Sequence, residues 1–157
     1  MNPLFLAILL SMSPVSELRG GLPYALSQGF SVQHAFLVCV LANIVSAVLI
    51  MVFLTFLHSF FLRFNFYKKT FDYFIERARK KSKKMERDMG NWGYFALCIF
   101  VAIPLPMTGA WTGTLIAWIL GLDKIKSISA ISLGVIFAGM IVTLVYLGFI
   151  GFLNFII

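Results

Sequence analysis

Acidic residues are scarce in this sequence. Six Asp and Glu stand against 13 Lys and Arg, and charged residues make up only 12% of the 157 residues. Soluble domains are about a quarter charged and about half apolar, whereas this chain is 61% hydrophobic with a mean hydropathy of +0.95. The shortage of charge therefore excludes an ordinary soluble domain and indicates an integral membrane protein, with one membrane domain over residues 1–157.

Groups that could support catalysis or hold a metal are also lacking. The two cysteines, Cys39 and Cys98, lie in apolar segments without metal-ligand spacing and are interpreted as buried structural thiols. There is no Ser-His-Asp set, no metal cluster and no phosphate loop of the GxxxxGK type. We therefore expect no enzyme, no catalytic residue, no metal and no cofactor. No basic residue precedes the apolar run that starts at Leu4, so we expect no signal peptide.

The positive charge is concentrated in one segment. Ten Lys and Arg lie between Arg63 and Asp88 with four acidic residues, so this segment carries +6 of the net charge of +7. Apolar residues recur there at helical spacing, which predicts an amphipathic helix over residues 64–91 that lies on the cytoplasmic surface and binds anionic lipid headgroups. A solvated linker helix is the alternative. Nucleic-acid binding is not expected in a membrane protein of this kind.

Two Pro/Gly-rich breaks interrupt the apolar sequence at corresponding places. One lies in residues 3–30, after Pro14, and the other in residues 92–121, after Pro104. The apolar run before each break is shorter than the ~20 residues that a spanning helix needs, so each block predicts a re-entrant helical hairpin. Gly29 and Gly121 hold matching positions near the ends of the two blocks.

Two long, nearly uncharged runs, residues 34–63 and 126–157, predict spanning helices. The basic segment is placed in the cytoplasm by the positive-inside rule, so the first hairpin enters from outside and the second from the cytoplasm. The predicted fold is all-α, with two re-entrant hairpins and two spanning helices forming an inverted repeat, plus the cytoplasmic amphipathic helix. A four-span arrangement is the alternative, which places Lys124 and Lys126 outside.

Glu17 and Arg19 bring charge into the first break. An ionisable group at membrane depth costs roughly 2.5–3.5 kcal/mol, so such groups face protein or a wet cavity and mark a transport path. The returning helices are expected to begin near Gly21 and Thr108 and to aim their anion-attracting N-termini at mid-membrane. Arg19 would bind phosphate or carboxylate, and Glu17 would carry a proton, since burial favours its neutral form. The alternative is that the two charges only neutralise each other.

The candidate substrate-binding residues come from both breaks. They are Ser16, Glu17, Arg19, Gly20, Gly21 and Pro23 in the first, and Pro104, Pro106, Thr108, Gly109, Trp111, Thr112 and Gly113 in the second. Thr108 is also expected to cap the second returning helix. Asn43 and Ser46 are interpreted as helix-packing residues of the first spanning helix, with lining the site as the alternative.

The breaks resemble those of the putative small multidrug export protein family. The resemblance rests on Pro14-Val15-Ser16-Glu17-Leu18-Arg19-Gly20-Gly21-Leu22-Pro23 and on Ile103-Pro104-Leu105-Pro106-Met107-Thr108-Gly109-Ala110-Trp111-Thr112-Gly113. The arrangement is also similar to the DedA (VTT-domain) superfamily, whose members have two re-entrant hairpins and are implicated in moving lipids such as undecaprenyl phosphate. DedA proteins carry more charge at the second hairpin than this chain does.

The residues and the resemblance together predict a transporter. Its favoured cargo is an amphipathic anion, above all a phosphate-headed lipid such as undecaprenyl phosphate, with protons coupled through Glu17. The alternative is proton-coupled efflux of small lipophilic drugs through Glu17, and a scaffold without cargo is a third hypothesis. The resemblance implies the prokaryotic plasma (inner) membrane. A homodimer or larger assembly is expected, because one chain has little protein to shield irregular backbone from lipid.

Overall fold

The computed structural model of the chain describes residues 2–61, 92–105 and 108–156. Within these ranges every regular element is an α-helix: α1 (Pro3–Met12), α2 (Glu17–Ser27), α3 (Val32–Phe61), α4 (Trp92–Ala102), α5 (Ala110–Leu120) and α6 (Lys124–Ile156). The all-helical prediction is confirmed for this part of the chain. The amphipathic helix predicted over residues 64–91 lies outside the described residues.

Short and long helices alternate in the same order in both halves of the chain. The helices α1, α2, α4 and α5 have 10 or 11 residues, which is about 15–17 Å and roughly half of a bilayer's hydrocarbon core. By contrast α3 and α6 have 30 and 33 residues. Their apolar stretches, Val32–Leu57 and Lys124–Phe152, have mean hydropathies of 2.9 and 2.4 and are long enough to cross a membrane.

The start of α2 differs from the prediction. The helix expected to begin near Gly21 begins at Glu17 and continues through Gly21 and Pro23 to Ser27. The predicted start near Gly21 is therefore wrong, while the break after α1 is present. The helix accommodates Pro23, which removes only one backbone donor. Gly21 instead serves packing, since a Cβ there would overlap Ser11 of α1.

Both α2 and α5 are followed by a glycine in the left-handed conformation. The φ angle is +82° at Gly29 and +68° at Gly121. Glycine adopts this conformation without the steric penalty that a Cβ brings, and it commonly ends helices. The matching glycines therefore have the same local role at the ends of the two short helices.

The short helices α2 and α5 lie at the centre of the fold, where each contacts both α3 and α6. The other two short helices lie further out: α1 packs on α2 and α3, and α4 packs mainly on α6. Alanines are prominent among the buried residues: Ala7, Ala25, Ala35, Ala47, Ala110 and Ala117. Small residues let helices in a membrane approach closely. Large apolar side chains such as Leu37, Phe53 and Phe56 face outward instead. The small residues in the core therefore let α2 and α5 pack closely, with their N-termini near each other.

Candidate functional site

The carboxylate of Glu17 is buried between the N-terminal helix pair (α1 and α2) and the C-terminal helix pair (α4 and α5). Glu17 is the first residue of α2 and is 4% exposed. Its Oε1 accepts a hydrogen bond of 3.1 Å from the backbone N–H of Trp111, in the first turn of α5. A helix N-terminus carries a partial positive charge and free N–H groups, which favour a carboxylate. Glu17 therefore caps a helix of the opposite half of the chain.

Arg19 pairs with the same carboxylate. Its Nη2 lies 3.4 Å from Oε2 of Glu17, and the Arg19 side chain is 22% exposed. Within the described part of the chain, Glu17 is the only acceptor that this guanidinium contacts. The two charges offset each other, as one interpretation of the sequence expected, and the guanidinium contacts no other acceptor among the described residues.

Glu17 also has an unusual backbone. Its φ is +47°, and it is the one non-glycine residue with a positive φ among the described residues. Such a conformation costs on the order of 1–3 kcal/mol and persists where surrounding contacts hold it. The Glu17 N–H donates to the carbonyl of Ser13 at 3.0 Å, and this bond holds Glu17 here together with its side-chain bonds to Trp111 and Arg19.

Gly109 makes room for the Glu17 carboxylate. It is the N-cap residue of α5 and offers no side chain to that helix, and a Cβ at this position would overlap the carboxylate. The prediction that Thr108 caps this helix is wrong. The Thr108 hydroxyl is instead taken up by the turn after α4, where it donates to the carbonyls of Ile103 and Leu105 at 2.7 and 2.9 Å.

The N-terminus of α2 has no equivalent partner. The hydroxyl of its N-cap residue, Ser16, donates backwards to the carbonyl of Leu10 at 2.6 Å. The N–H groups of Leu18 and Arg19 bond to no backbone or side-chain acceptor among the described residues. The sequence predicted two open anion-attracting helix ends, but at α5 the Glu17 carboxylate occupies the Trp111 N–H, whereas no side chain among the described residues bonds the first N–H groups of α2.

A narrow gap lies where the tips of the two helix pairs meet. Five predicted site residues line it: Glu17, Arg19, Pro104, Thr108 and Gly109. Asn43 of α3 lines it too, is 1% exposed, and its side-chain oxygen has no hydrogen-bond partner. The sequence reasoning favoured a packing role for Asn43. The signal for a site role was a lone amide in the middle of a long apolar helix.

An apolar groove lies beside the tips, between the two helix pairs and α3. It has a volume of about 600 Å³ and is lined by Met12, Pro14, Ser46, Leu49, Ile50, Phe53, Leu54, Trp111, Thr112 and Leu115. Trp111 joins this groove to the Glu17 site, because its backbone N–H bonds the carboxylate while its indole N–H donates to the carbonyl of Met12 at 3.0 Å. Trp111 and Thr112 are the two predicted site residues found here.

The remaining predicted site residues pack helices or lie elsewhere. Gly20 faces Ser16, and Gly21 faces Ser11 of α1. Gly113 faces Val101 of α4, whereas Pro23 lies half-buried inside α2. Pro106 lies outside the described residues. The described part of the chain contains no group of three or more His, Cys, Asp or Glu side chains that could hold a metal ion.

Comparison with known protein families matches residues 17–141 to the family described as "Putative small multi-drug export protein". A search of curated proteins finds no match, and a search of solved structures finds none either. The family match begins at Glu17 and extends into α6, so it includes the first break from Glu17 onward, all of the second break and most of the chain. Together with the two long apolar helices, it confirms a membrane protein of an export type, while the similarity to DedA stays a prediction. The chain therefore belongs to the putative small multi-drug export protein family of membrane transporters.

Proposed function

We propose that this protein transports an amphipathic anion across the membrane, and that a phosphate-headed lipid such as undecaprenyl phosphate is its cargo. The position of Glu17 carries this proposal. A carboxylate, itself an anion, sits on the N–H of Trp111 and beside the guanidinium of Arg19. Helix N-termini and arginine also bind the phosphate and carboxylate groups of ligands. Glu17 thus occupies the place of a substrate headgroup.

Glu17 and the headgroup would then compete for the same donors. When Glu17 takes up a proton, it loses the charge that attracts Arg19 and the N-terminus of α5. The released donors bind the anion, so one proton and one anion occupy the site together. The open N–H groups of Leu18 and Arg19 at the start of α2 add further donors.

The apolar groove suits the tail of such a lipid. Its volume of about 600 Å³ lies within the usual range of ligand pockets, about 300–1,000 Å³. Its walls are mainly aliphatic and aromatic side chains, and Trp111 connects it to the headgroup donors. A lipid could therefore keep its tail in the groove while its headgroup lies at Arg19.

The proposal includes the membrane arrangement. We propose that the two helix pairs are re-entrant hairpins that enter from opposite faces as an inverted repeat. The matching order of helix lengths, 10, 11 and 30 residues followed by 11, 11 and 33, supports this. The basic segment over residues 64–91 would face the cytoplasm and bind anionic headgroups. A dimer or larger assembly in a prokaryotic inner membrane would shield the broken helices from lipid.

Translocation of a short-chain polyprenyl phosphate in proteoliposomes tests the proposal. Arg19→Ala should slow it about tenfold, since losing one hydrogen bond to a charged group costs about 1.5 kcal/mol. The uncharged polyprenol serves as the control cargo and should not respond. Glu17→Gln should bind the phosphate at neutral pH as tightly as the wild type does at acidic pH. Equal phosphate transport by the wild type and Arg19→Ala would refute the proposal.

Efflux of lipophilic drugs is a second candidate function. The family description and the apolar groove favour it. A cationic drug would have to displace Arg19 from Glu17, whose two carboxylate oxygens are both engaged. Ethidium efflux that disappears in Glu17→Gln, with movement of the phosphate lipid unchanged, would make this the better assignment.

A further inference from the structure

The gap between the helix-pair tips is too small for a headgroup in this conformation. The free volume that water can enter there is about 10 Å³. That is about the space that one water molecule needs, provided that two to four polar groups surround it. The gap therefore has room for one water molecule or a single ion.

Residues that carry polar atoms without partners line this small space. The Asn43 side-chain oxygen is buried and accepts no hydrogen bond. The N–H groups of Leu18 and Arg19 donate to no acceptor among the described residues, and both residues line the gap. Buried polar groups are almost always satisfied by protein or by ordered water. The gap thus offers both donors and acceptors to one small molecule.

The carbonyls at the end of α4 add a further acceptor. The N–H of Leu105 donates to Ile103 at 2.8 Å instead of continuing the helix pattern to Val101. Among the described residues, the Val101 carbonyl accepts no backbone hydrogen bond in its place. Val101 also lines the gap.

Charge balance decides which small molecule fits. Glu17 and Arg19 are the only charged side chains among the described residues that line the gap, and they pair with each other. The other lining residues from α3, α4, α5 and α6 are uncharged. An extra ion of either sign would be left uncompensated in a nearly dry site, which is costly. A neutral molecule with both donors and acceptors, namely water, has no such cost.

We infer that one water molecule, held by Asn43, fills the gap between the tips and delivers protons to Glu17. In each transfer the water gives a proton to a Glu17 carboxylate oxygen and takes one from the aqueous phase, so only O–H bonds change. Asn43 is then a positioning residue. The delivery step rests on the proposed proton coupling through Glu17, whereas the water site itself does not.

Infrared difference spectroscopy of the full chain in nanodiscs, between neutral and acidic buffer, tests this inference without any substrate. The carboxyl band of protonated Glu17 is identified by its loss in Glu17→Gln. A water O–H band that changes with it is identified by its shift in ¹⁸O-labelled water. Asn43→Leu should lose the water band, because it replaces the amide by apolar methyl groups. The matched control Thr143→Val, at a buried polar residue of α6 that bonds within its own helix and lines neither the gap nor the groove, should keep it.

The inference is overturned if the wild type has no isotope-sensitive band, if Asn43→Leu keeps that band, or if the wild type shows no Glu17 band. Asn43→Val makes the same comparison should the leucine variant fail to fold. If the protein shows both bands but moves no anionic lipid, the transport proposal is refuted while the water site is supported.

Discussion

The N-terminal helix pair and the C-terminal helix pair have helices of nearly equal length but are held together differently. In the first, α1 and α2 pack closely, with Gly21 against Ser11 and Ala7. In the second, α4 packs mainly on α6, where Gly134 meets the Cys98 carbonyl and Val101. The N-terminal pair is thus closed on itself, whereas the C-terminal pair depends on the last long helix for its packing.

The two pairs also divide the charge between them. The N-terminal pair carries Glu17 and Arg19, while the C-terminal pair has no charged residue at its break. Glu17 reaches across and caps α5, but no described residue of the C-terminal pair caps α2 in return. Two halves with matching helix lengths therefore have unlike roles, since one supplies the carboxylate and the other supplies the helix end that the carboxylate caps.

The packing difference predicts unequal costs for adding one methyl group. Gly21→Ala should destabilise by about 3 kcal/mol, because its Cβ overlaps Ser11 and the backbone of α1. Gly113→Ala should cost only about 1 kcal/mol, since its Cβ meets a Val101 methyl group that can shift. Thermal unfolding in detergent measures both, with Gly148→Ala, which meets nothing within 4 Å, as the control. Equal costs would remove the packing difference between the pairs.

Because Glu17 caps α5, we expect Glu17 to contribute more to the free energy of unfolding than Arg19 does. Glu17→Ala should destabilise by about 2–3 kcal/mol, because it leaves the Trp111 N–H without its acceptor and Arg19 without its partner. Arg19→Ala should cost under about 1 kcal/mol, since its one contact is long and its side chain is partly exposed. The same unfolding assay ranks the two variants. A larger loss in Arg19→Ala would show that the cap on α5 is not the dominant interaction.

The left-handed glycines predict the smallest effects and the closest agreement between the halves. Gly29→Ala and Gly121→Ala should each cost about 1 kcal/mol, because each would place a Cβ in the left-handed conformation. Gly93→Ala, in an open position without a positive φ, is the control and should be neutral. Costs that differ widely between Gly29 and Gly121 would mean that the two helix ends are not equivalent.

The sequence predicted much of the fold from length and polarity alone. The runs behind α3 and α6 are long enough and apolar enough to span a membrane, and the runs behind α1 and α4 are too short. The sequence predicted the start of the helix after the first break less accurately. Proline and glycine signal that a helix is disturbed, but Gly21 and Pro23 lie inside α2 because packing against α1 compensates for their poor helix propensity.

The location of the candidate site in the chain could be predicted from the sequence, but the contacts between its residues could not. A charged pair next to Pro14 and between apolar runs already marks the tip of the first helix pair. No local pattern relates Glu17 to Trp111, 94 residues further along the chain. The same holds for Asn43, whose missing partner becomes visible only when α2, α3 and α4 are placed around one gap.

The sequence by itself determined the membrane class, the helix lengths and the scarcity of buried charge, because these follow from hydrophobicity and from local backbone preferences. Only the tertiary structure decided that Glu17 caps the opposite half, that Thr108 does not cap α5, and that no side chain among the described residues caps α2. A hydrogen bond between distant segments depends on how whole helices pack, and many packings are compatible with the same apolar pattern.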